Sequence, residues 1–580
     1  MERFTRCSVT SVLALALSQT AFAGSAPFFV PLTHSEGVTA PDSIDEINAP
    51  WQAPAGVAQT NLTSMEEIEN DVNQSVQRIG AGTVSSMFDM LAFDPTGKYL
   101  FIPHETPLGA GLTRYDMDND TAALLFAGDQ NGAGPDGERA TADDDWSADF
   151  GAFDPSRYTP NGTVILAEEW SGLGRVVEIC NPFGAAPADP VASSLTQGDC
   201  AAGADWRVLP IANVSHEGIN FSLKHENEVI YFIDEDRSGS IYKMVLTTAG
   251  DYAGGGQTFV LKADNYLGDP EPNWNDSASG NNAPAVLASR FGPASWVPIT
   301  DANGNPLPGV TYPIGASVLN CAAGDAGDEC RDEDIRPGRV AADDVGGTPF
   351  GRPEDMAIGM MPNGNEILYV TTTSENGVIS IEETRHGPYI RSFASEDGAP
   401  TGAQSGTAKN ADLAPTTGTL NSPDNLAIDS LGNIYIIEDA PNSNTVGGDV
   451  WFARDMDNDG VAESLDHFLS LQVAGSEATG MIFNPADPTK FVVAVQHPTT
   501  TDLSDADNDG IRDADGFGDA VWEFDLADTV PPVCSKPRHQ WTTYNHATRR
   551  WVRACSNARD YNAIRQIKKS DKSDRDFPNP

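Results

Sequence analysis

Short runs of β-branched and aromatic residues recur along the chain, each free of proline and bounded by Gly, Asn, Asp or Pro. They are Lys98-Tyr99-Leu100-Phe101-Ile102, Thr163-Val164-Ile165-Leu166, Val229-Ile230-Tyr231-Phe232-Ile233, Glu366-Ile367-Leu368-Tyr369-Val370, Asn433-Ile434-Tyr435-Ile436-Ile437 and Lys490-Phe491-Val492-Val493-Ala494-Val495. Runs of this length and composition predict buried strands. Ahead of each stands a carboxylate followed by an apolar anchor. Asp89 precedes Phe93, Asp149 Phe153, Glu217 Phe221, Glu354 Ile358 and Asp424 Ile428, four positions apart each time, while Glu477 lies six before Phe483. A unit that repeats in this way predicts a ring of sheets, each feeding an acid to a common centre.

The expected fold is therefore all-β, a six-bladed β-propeller over residues 81–530. At about 75 residues per unit against the usual ~40–45 of a four-stranded blade, long inter-strand insertions are required. The largest is expected at 251–350, rich in Asn, Asp, Gly and Pro. Residues 24–80 form an N-terminal segment, in which Met65, Ile68, Val72, Val76 and Ile79 recur at helical spacing and predict a short helix over 64–79. A tail, 531–580, begins at Pro531-Pro532.

Composition alters this picture in three places. Arg3 and Arg6, the apolar stretch Val9 to Leu17 and Ala21-Phe22-Ala23 read as a secretory signal over 1–23 cleaved after Ala23, so a secreted or periplasmic protein is expected. The apolar stretch is too short to span a bilayer, and no later one is longer. Cys7 leaves with the signal. Cys180, Cys200, Cys321, Cys330, Cys534 and Cys555 remain, an even set that favours disulfides in an oxidising compartment; nearest-neighbour pairing is one of fifteen connectivities. The net charge is −49, and the tail alone carries 11 Lys and Arg against 4 Asp, so the body before it is more acidic still. Such a body excludes nucleic acid as a partner. Calcium ions and a small molecule are the expected partners, and a monomer is expected.

Candidate chemistry lies in acids. Asp455-Met456-Asp457-Asn458-Asp459-Gly460, with Asp466 at the twelfth place, matches an oxygen-rich calcium loop, and Asp505, Asp507 and Asp509 begin a second. Neither has flanking EF-hand helices. A further series of acids follows the second strand of each unit: Glu105, Glu168 with Glu169, Asp234, and Glu438 with Asp439; His497 takes this place in the last unit. Two readings of the repeated acids stand. They either bind cations at the mouth of a funnel or merely accept backbone amides at strand ends. Arg352, two residues from Glu354, either offers a bidentate fork to an anion or pairs with a carboxylate. No H-E-x-x-H, G-x-S-x-G or Lys-containing phosphate loop is present.

Several of these segments resemble the PhoX-type alkaline phosphatases. They are His104-Glu105 with Leu112-Thr113-Arg114, Ser215-His216-Glu217, Asp236-Arg237-Ser238-Gly239-Ser240-Ile241-Tyr242-Lys243, Gly351-Arg352-Pro353-Glu354-Asp355, Ser422-Pro423-Asp424-Asn425-Leu426-Ala427 and Val495-Gln496-His497-Pro498. The resemblance implies a secreted six-bladed propeller that hydrolyses phosphomonoesters with calcium and a pair of iron ions. It implies metal ligation by Glu168, Glu217, Glu354, Asp424, Asn425 and Glu477, and phosphate binding by Arg352. Two features depart from the family. Ala167 stands where the family has a cysteine iron ligand, and the signal lacks twin arginines; both point to a hard-cation site without iron. A calcium-dependent esterase or lactonase and a non-catalytic calcium-binding propeller are the alternative functions.

Overall fold

The computed structural model describes residues 28–39, 49–73, 88–135, 143–170, 174–237, 239–270, 283–310, 338–397, 406–439, 445–473, 476–496, 519–526, 540–545 and 550–555, the last two by backbone alone. Residues 1–23, the expected signal, the expected second calcium loop with Asp505, Asp507 and Asp509, and His497, Cys321, Cys330 and Cys534 lie outside the described residues.

The chain is all-β, with small antiparallel sheets in a propeller-like arrangement. Each is an up-and-down meander, named here by its span. Sheet A runs from Ala92–Phe93 to Thr121–Ala127 and sheet B from Phe153–Tyr158 to Trp206–Leu209. Sheet C runs from Ile219–Phe221 to Gly256–Ala263 and sheet D from Pro353–Met360 to Gly387–Ser395. The strand Gly292–Pro298 pairs with the outer strands of both and fuses them into nine strands. Sheet E covers Pro423–Ile428 to Ser464–Leu471, and sheet F covers Glu477–Phe483, Lys490–Gln496 and Ala520–Asp525.

The N-terminal segment is part of this framework. Ala58–Ser64 supplies the fourth strand of sheet F, and Trp51–Gln52 extends sheet E. The expected helix covers Met65–Val72, with Ser64 Oγ capping its N-terminus by accepting the Glu67 N–H; residues 74–79 of the expectation lie outside the described residues. Of the expected insertion, residues 256–263 complete sheet C, so the true excursion begins after Ala263. Cys180 and Cys200 form a disulfide, the nearest-neighbour pairing. The tail contributes a hairpin, Gln540–Asn545 with Arg550–Cys555.

Apolar burial lies between sheets and not at their common centre. Phe101, Phe126, Phe153 and Trp206 join A to B; Ile165, Val214, Phe232 and Tyr242 join B to C; Ile233, Leu261, Leu368 and Ile381 join C to D. Tyr369, Phe393, Ile436 and Trp451 join D to E, Tyr435, Phe468, Phe491 and Trp522 join E to F, and Leu100, Ile102, Val492 and Val521 join F back to A. Alternating residues on each strand serve the two faces, which is why the strands read as continuous apolar runs. Inner strands touch in sequence order from A to F. At the seam, Gln496 Nε2 donates to Asp89 Oδ2 at 2.7 Å, and Thr479 Oγ lies 2.6 Å from Asp89 Oδ1.

The seam depends on Gly480, whose φ is +60° and where a Cβ would stand 2.4 Å from the Asp89 carbonyl oxygen. Gly480→Ala should therefore lose about 2–4 kcal/mol, overpacking added to left-handed strain. Gly364→Ala, with φ +84° and open space, should lose only the strain. Urea unfolding of the two variants checks this; equal losses would contradict a closed seam.

Candidate metal centre

The inner strands of sheets B, D and E are bulged, and these bulges carry acids. Asp154-Pro155 oppose the single residue Ala167, Glu354-Asp355 oppose Thr371, and Asp424-Asn425 oppose Ile437, because each register skips a residue there. A bulge leaves a residue outside the ladder and re-aims its side chain, here toward the centre. The residue before each of these strands has left-handed backbone: Ala152 (φ 48°), Arg352 (φ 52°) and Ser422 (φ 44°). Their carbonyls accept the N–H groups of Glu169 (2.8 Å), Thr373 (3.0 Å) and Asp439 (3.0 Å), and the Ser215 carbonyl accepts that of Glu235 (2.8 Å). One motif thus brings the end of each second strand beside the start of the first.

Strand alternation then sorts the neighbouring acids. Glu168 is fully buried, with Oε2 2.8 Å from Arg175 Nε and Oε1 accepting the Gly151 N–H. Asp234 accepts two hydrogen bonds from Arg339, at 2.7 and 2.6 Å. Glu438 accepts from the Asn421 and Asp449 amides and from Trp451 Nε1. The next residue in each case, Glu169, Glu235 and Asp439, faces the other acids, as their mutual repulsion records. The expectation for Glu168 is corrected accordingly: its carboxylate belongs to a buried ion pair, and Glu169 is the residue presented to the cluster. Glu235 was missed, although a period of two counted from Ile233 places it opposite Asp234.

Two trios gather carboxylate oxygens within 4.8 Å of one another: Glu217, Glu354 and Asp424, all buried, and Asp89, Glu105 and Asp154. Asp154 joins a set in which the repeated acids Asp89, Glu217, Glu354 and Asp424 and the later acid Glu105 were legible in the sequence. Burial, then Glu354 and Asp424, pushes the Glu217 carboxyl well above the usual carboxylate range; burial and Glu354 do the same to Asp424. Burial and Asp89 raise Asp154, burial raises Asp89 to about 6, and burial with Glu354 raises Glu235 to about 8. Glu477 is raised by burial and by Asp439, Asp424 and Asp89, which places it electrostatically with the cluster though in neither trio. Asn425 uses its Oδ1 to accept from the Gly480 N–H at 2.5 Å and lies 2.6 Å from Thr479 Oγ, so it ties sheet E to sheet F. Among the described residues, no backbone or neutral side-chain donor reaches Glu354 Oε2, Asp424 Oδ1 or Asp154 Oδ2, all buried. Buried carboxylates gathered in this way must either share protons or be neutralised by a cation, and their oxygens suit a cation.

Arg352 borders this group. Its Nε donates to Glu235 and lies 3.3 Å from Glu354 Oε1, with about a third of the side chain exposed. Burial opposes its charge, but Glu354 and Glu235 more than offset that and keep it protonated. Among the described residues, its two terminal nitrogens make no hydrogen bond.

The loop at 455–463 is a separate group. Asp455, Asp457, Asp459 and Glu463 bring oxygens within 4.8 Å, and Asn458 (φ 59°) and Gly460 (φ 85°) make the turn. Asp466, the expected twelfth ligand, is instead a buried strand residue paired with Arg454 at 2.8 Å. Strand pairing starts at Ser464, before a helical loop could bring the twelfth residue round, and Glu463 is the acid that lies with Asp455, Asp457 and Asp459.

Small sheets in a propeller-like arrangement around a group of buried carboxylates define the class: a propeller-like scaffold with a carboxylate-lined centre. Residues 211–499 match the model of the family described as alkaline phosphatase PhoX, so the resemblance carried by the sequence motifs holds over that span. Among solved structures, Pseudomonas fluorescens PhoX in complex with vanadate, a transition state analogue, is 15% identical with a TM-score of 0.50. It covers 87% of this chain and 99% of its own, and this likeness shows the fold. A gluconolactonase of Xanthomonas campestris (10% identical, TM-score 0.32, 87% of this chain and 99% of its own) is too distant to carry an argument. No curated protein sequence matches the chain.

The raised carboxyls set a pH dependence. Each binds its proton more tightly in the folded chain than in the unfolded one, so their contribution is greatest in acid and is lost as pH rises through the folded values. Cation-free protein should lose melting temperature between about pH 5 and pH 8, the upper end set by Glu235 at about 8. Millimolar calcium should flatten that slope. A melting temperature that rises with pH in chelator would contradict the electrostatics described.

Proposed function

We propose that this chain is an exported, six-bladed, metal-dependent phosphohydrolase acting on phosphomonoesters, with its signal removed after Ala23. The observation that carries the reading is Arg352. A guanidinium whose Nε is fixed by Glu235 while its terminal nitrogens make no hydrogen bond among the described residues is pre-set to receive a bidentate anion. It stands beside Glu354, the acid shared between that arginine and the trio with Glu217 and Asp424. A lone cation site would have no use for an arginine that competes with the ion for Glu354.

Glu217, Glu354 and Asp424 would hold one cation, and Asp89, Glu105 and Asp154 a second. When bound, such cations would neutralise charge on the phosphoryl oxygens and lower the barrier to in-line displacement. Arg352 orients the phosphoryl group through two non-bridging oxygens, and Glu235 holds the guanidinium plane. The donors are carboxylates throughout, which fits calcium or another hard cation. Ala167 packs with Ile165, Val214 and Ile219 and offers no donor, so the thiolate that the family supplies to iron has no counterpart here. The loop acids Asp455, Asp457, Asp459 and Glu463 would take a structural calcium ion.

Arg352→Lys keeps the charge but loses the fork. Turnover of a chromogenic phosphomonoester should fall at least tenfold, and inhibition by inorganic phosphate should weaken by a similar factor. Phosphate inhibition that survives the change unaltered, or turnover of a lactone in place of the phosphomonoester, would overturn the reading.

A further inference from the structure

Two ion pairs converge on Arg352 and the peptide before it, and both arginines come from the stretch inserted between sheets C and D. Arg290 follows the short helix Pro284–Ala288 and is 1% exposed. It donates to both oxygens of Glu375, Nη1 to Oε1 at 2.7 Å and Nη2 to Oε2, and Nη1 also reaches the Pro349 carbonyl. Glu375 Oε1 in turn accepts the Gly351 N–H at 2.7 Å. Arg339 opens the helix Arg339–Val345. Its Nε and Nη2 grip Asp234, and its Nη1 lies 3.0 Å from Asp236 Oδ2. Glu235 lies between those two acids and takes the Arg352 Nε, while the Asp236 carbonyl accepts the Arg352 N–H at 3.0 Å.

The left-handed backbone at Arg352 (φ 52°) is strained for a residue with a side chain and persists only where its surroundings over-determine it. Here one clamp fixes the peptide before it and the other fixes both its N–H and its side chain. We propose that residues 283–290 and 338–345 of the inserted stretch are the positioning element of the anion-binding arginine, acting through Arg290 and Arg339. This rests on the reading of Arg352 as that arginine. Arg339 is a positioning residue and touches no ligand. Its planar fork reaches Asp234 and Asp236 at once, whereas a lysine can satisfy only one of them.

The test is calorimetric titration of the metal-loaded protein with inorganic phosphate, in the native chain, Arg339→Lys, Arg352→Lys and the double variant. Each single change should weaken phosphate binding about tenfold, and the double variant should be weaker than either by less than about threefold, because both remove the same alignment. Bound metal per chain should be unchanged in Arg339→Lys. Should Arg339→Lys fail to fold, Arg290→Lys takes its place with the same expectation. Losses that multiply to about a hundredfold, or native affinity in the clamp variant, would overturn the proposal while leaving the role of Arg352 intact. Native affinity in Arg352→Lys would overturn both.

Discussion

The crowding of buried carboxylates at the centre is the constraint on which the rest depends. Glu217, Glu354 and Asp424 lie within 4.8 Å of one another, as do Asp89, Glu105 and Asp154. At that separation each pair repels by about 3.5 kcal/mol at an effective dielectric of 20. Burial already adds desolvation to that repulsion, and apolar side chains packed at the axis would leave no room for a neutralising cation. The chain avoids this by placing its apolar contacts between sheets and leaving the axis polar. Stability is held in the intersheet layers, and chemistry is held where they stop.

Backbone geometry carries the acids to that place. Bulges at Asp154, Glu354-Asp355 and Asp424-Asn425 release those residues from the ladder, and left-handed residues ahead of them dock the ends of the second strands. Asp355 couples two bulges directly, accepting the Leu426 N–H at 3.0 Å and a hydrogen bond from Arg157 at 2.9 Å. The spacing of Glu354 and Asp424 is thus set by main-chain contacts between sheets D and E. Arg175 and Arg339 neutralise Glu168 and Asp234, which alternate away from the centre.

The strands were legible because each apolar run serves two intersheet layers at once, and Glu354 and Asp424 were legible because the same bulge recurs in sheets D and E, whereas Asp149, at the same spacing, accepts the Gly109, Gly132 and Phe150 amides instead. The side to which each acid turns was not. Glu168 and Glu169 are adjacent and chemically alike; only the register against Val176 and the place of Arg175 decide which one meets the cluster. Asp466 fitted a loop spacing but is claimed by the strand at Ser464 and by Arg454. The contribution of Ala58–Ser64 to sheet F could not be read locally, since its partner Ala520–Asp525 lies more than 450 positions away. Long-range pairing leaves no periodic trace in either segment.

The central claim is that the Glu217, Glu354 and Asp424 carboxylates are a cation site. Elemental analysis of the purified protein beside Glu354→Gln tests it most directly. The substitution keeps the side-chain shape and removes one charge. The account predicts that the variant folds, with at least one bound divalent cation fewer per chain. An unchanged metal content in folded Glu354→Gln protein would contradict it.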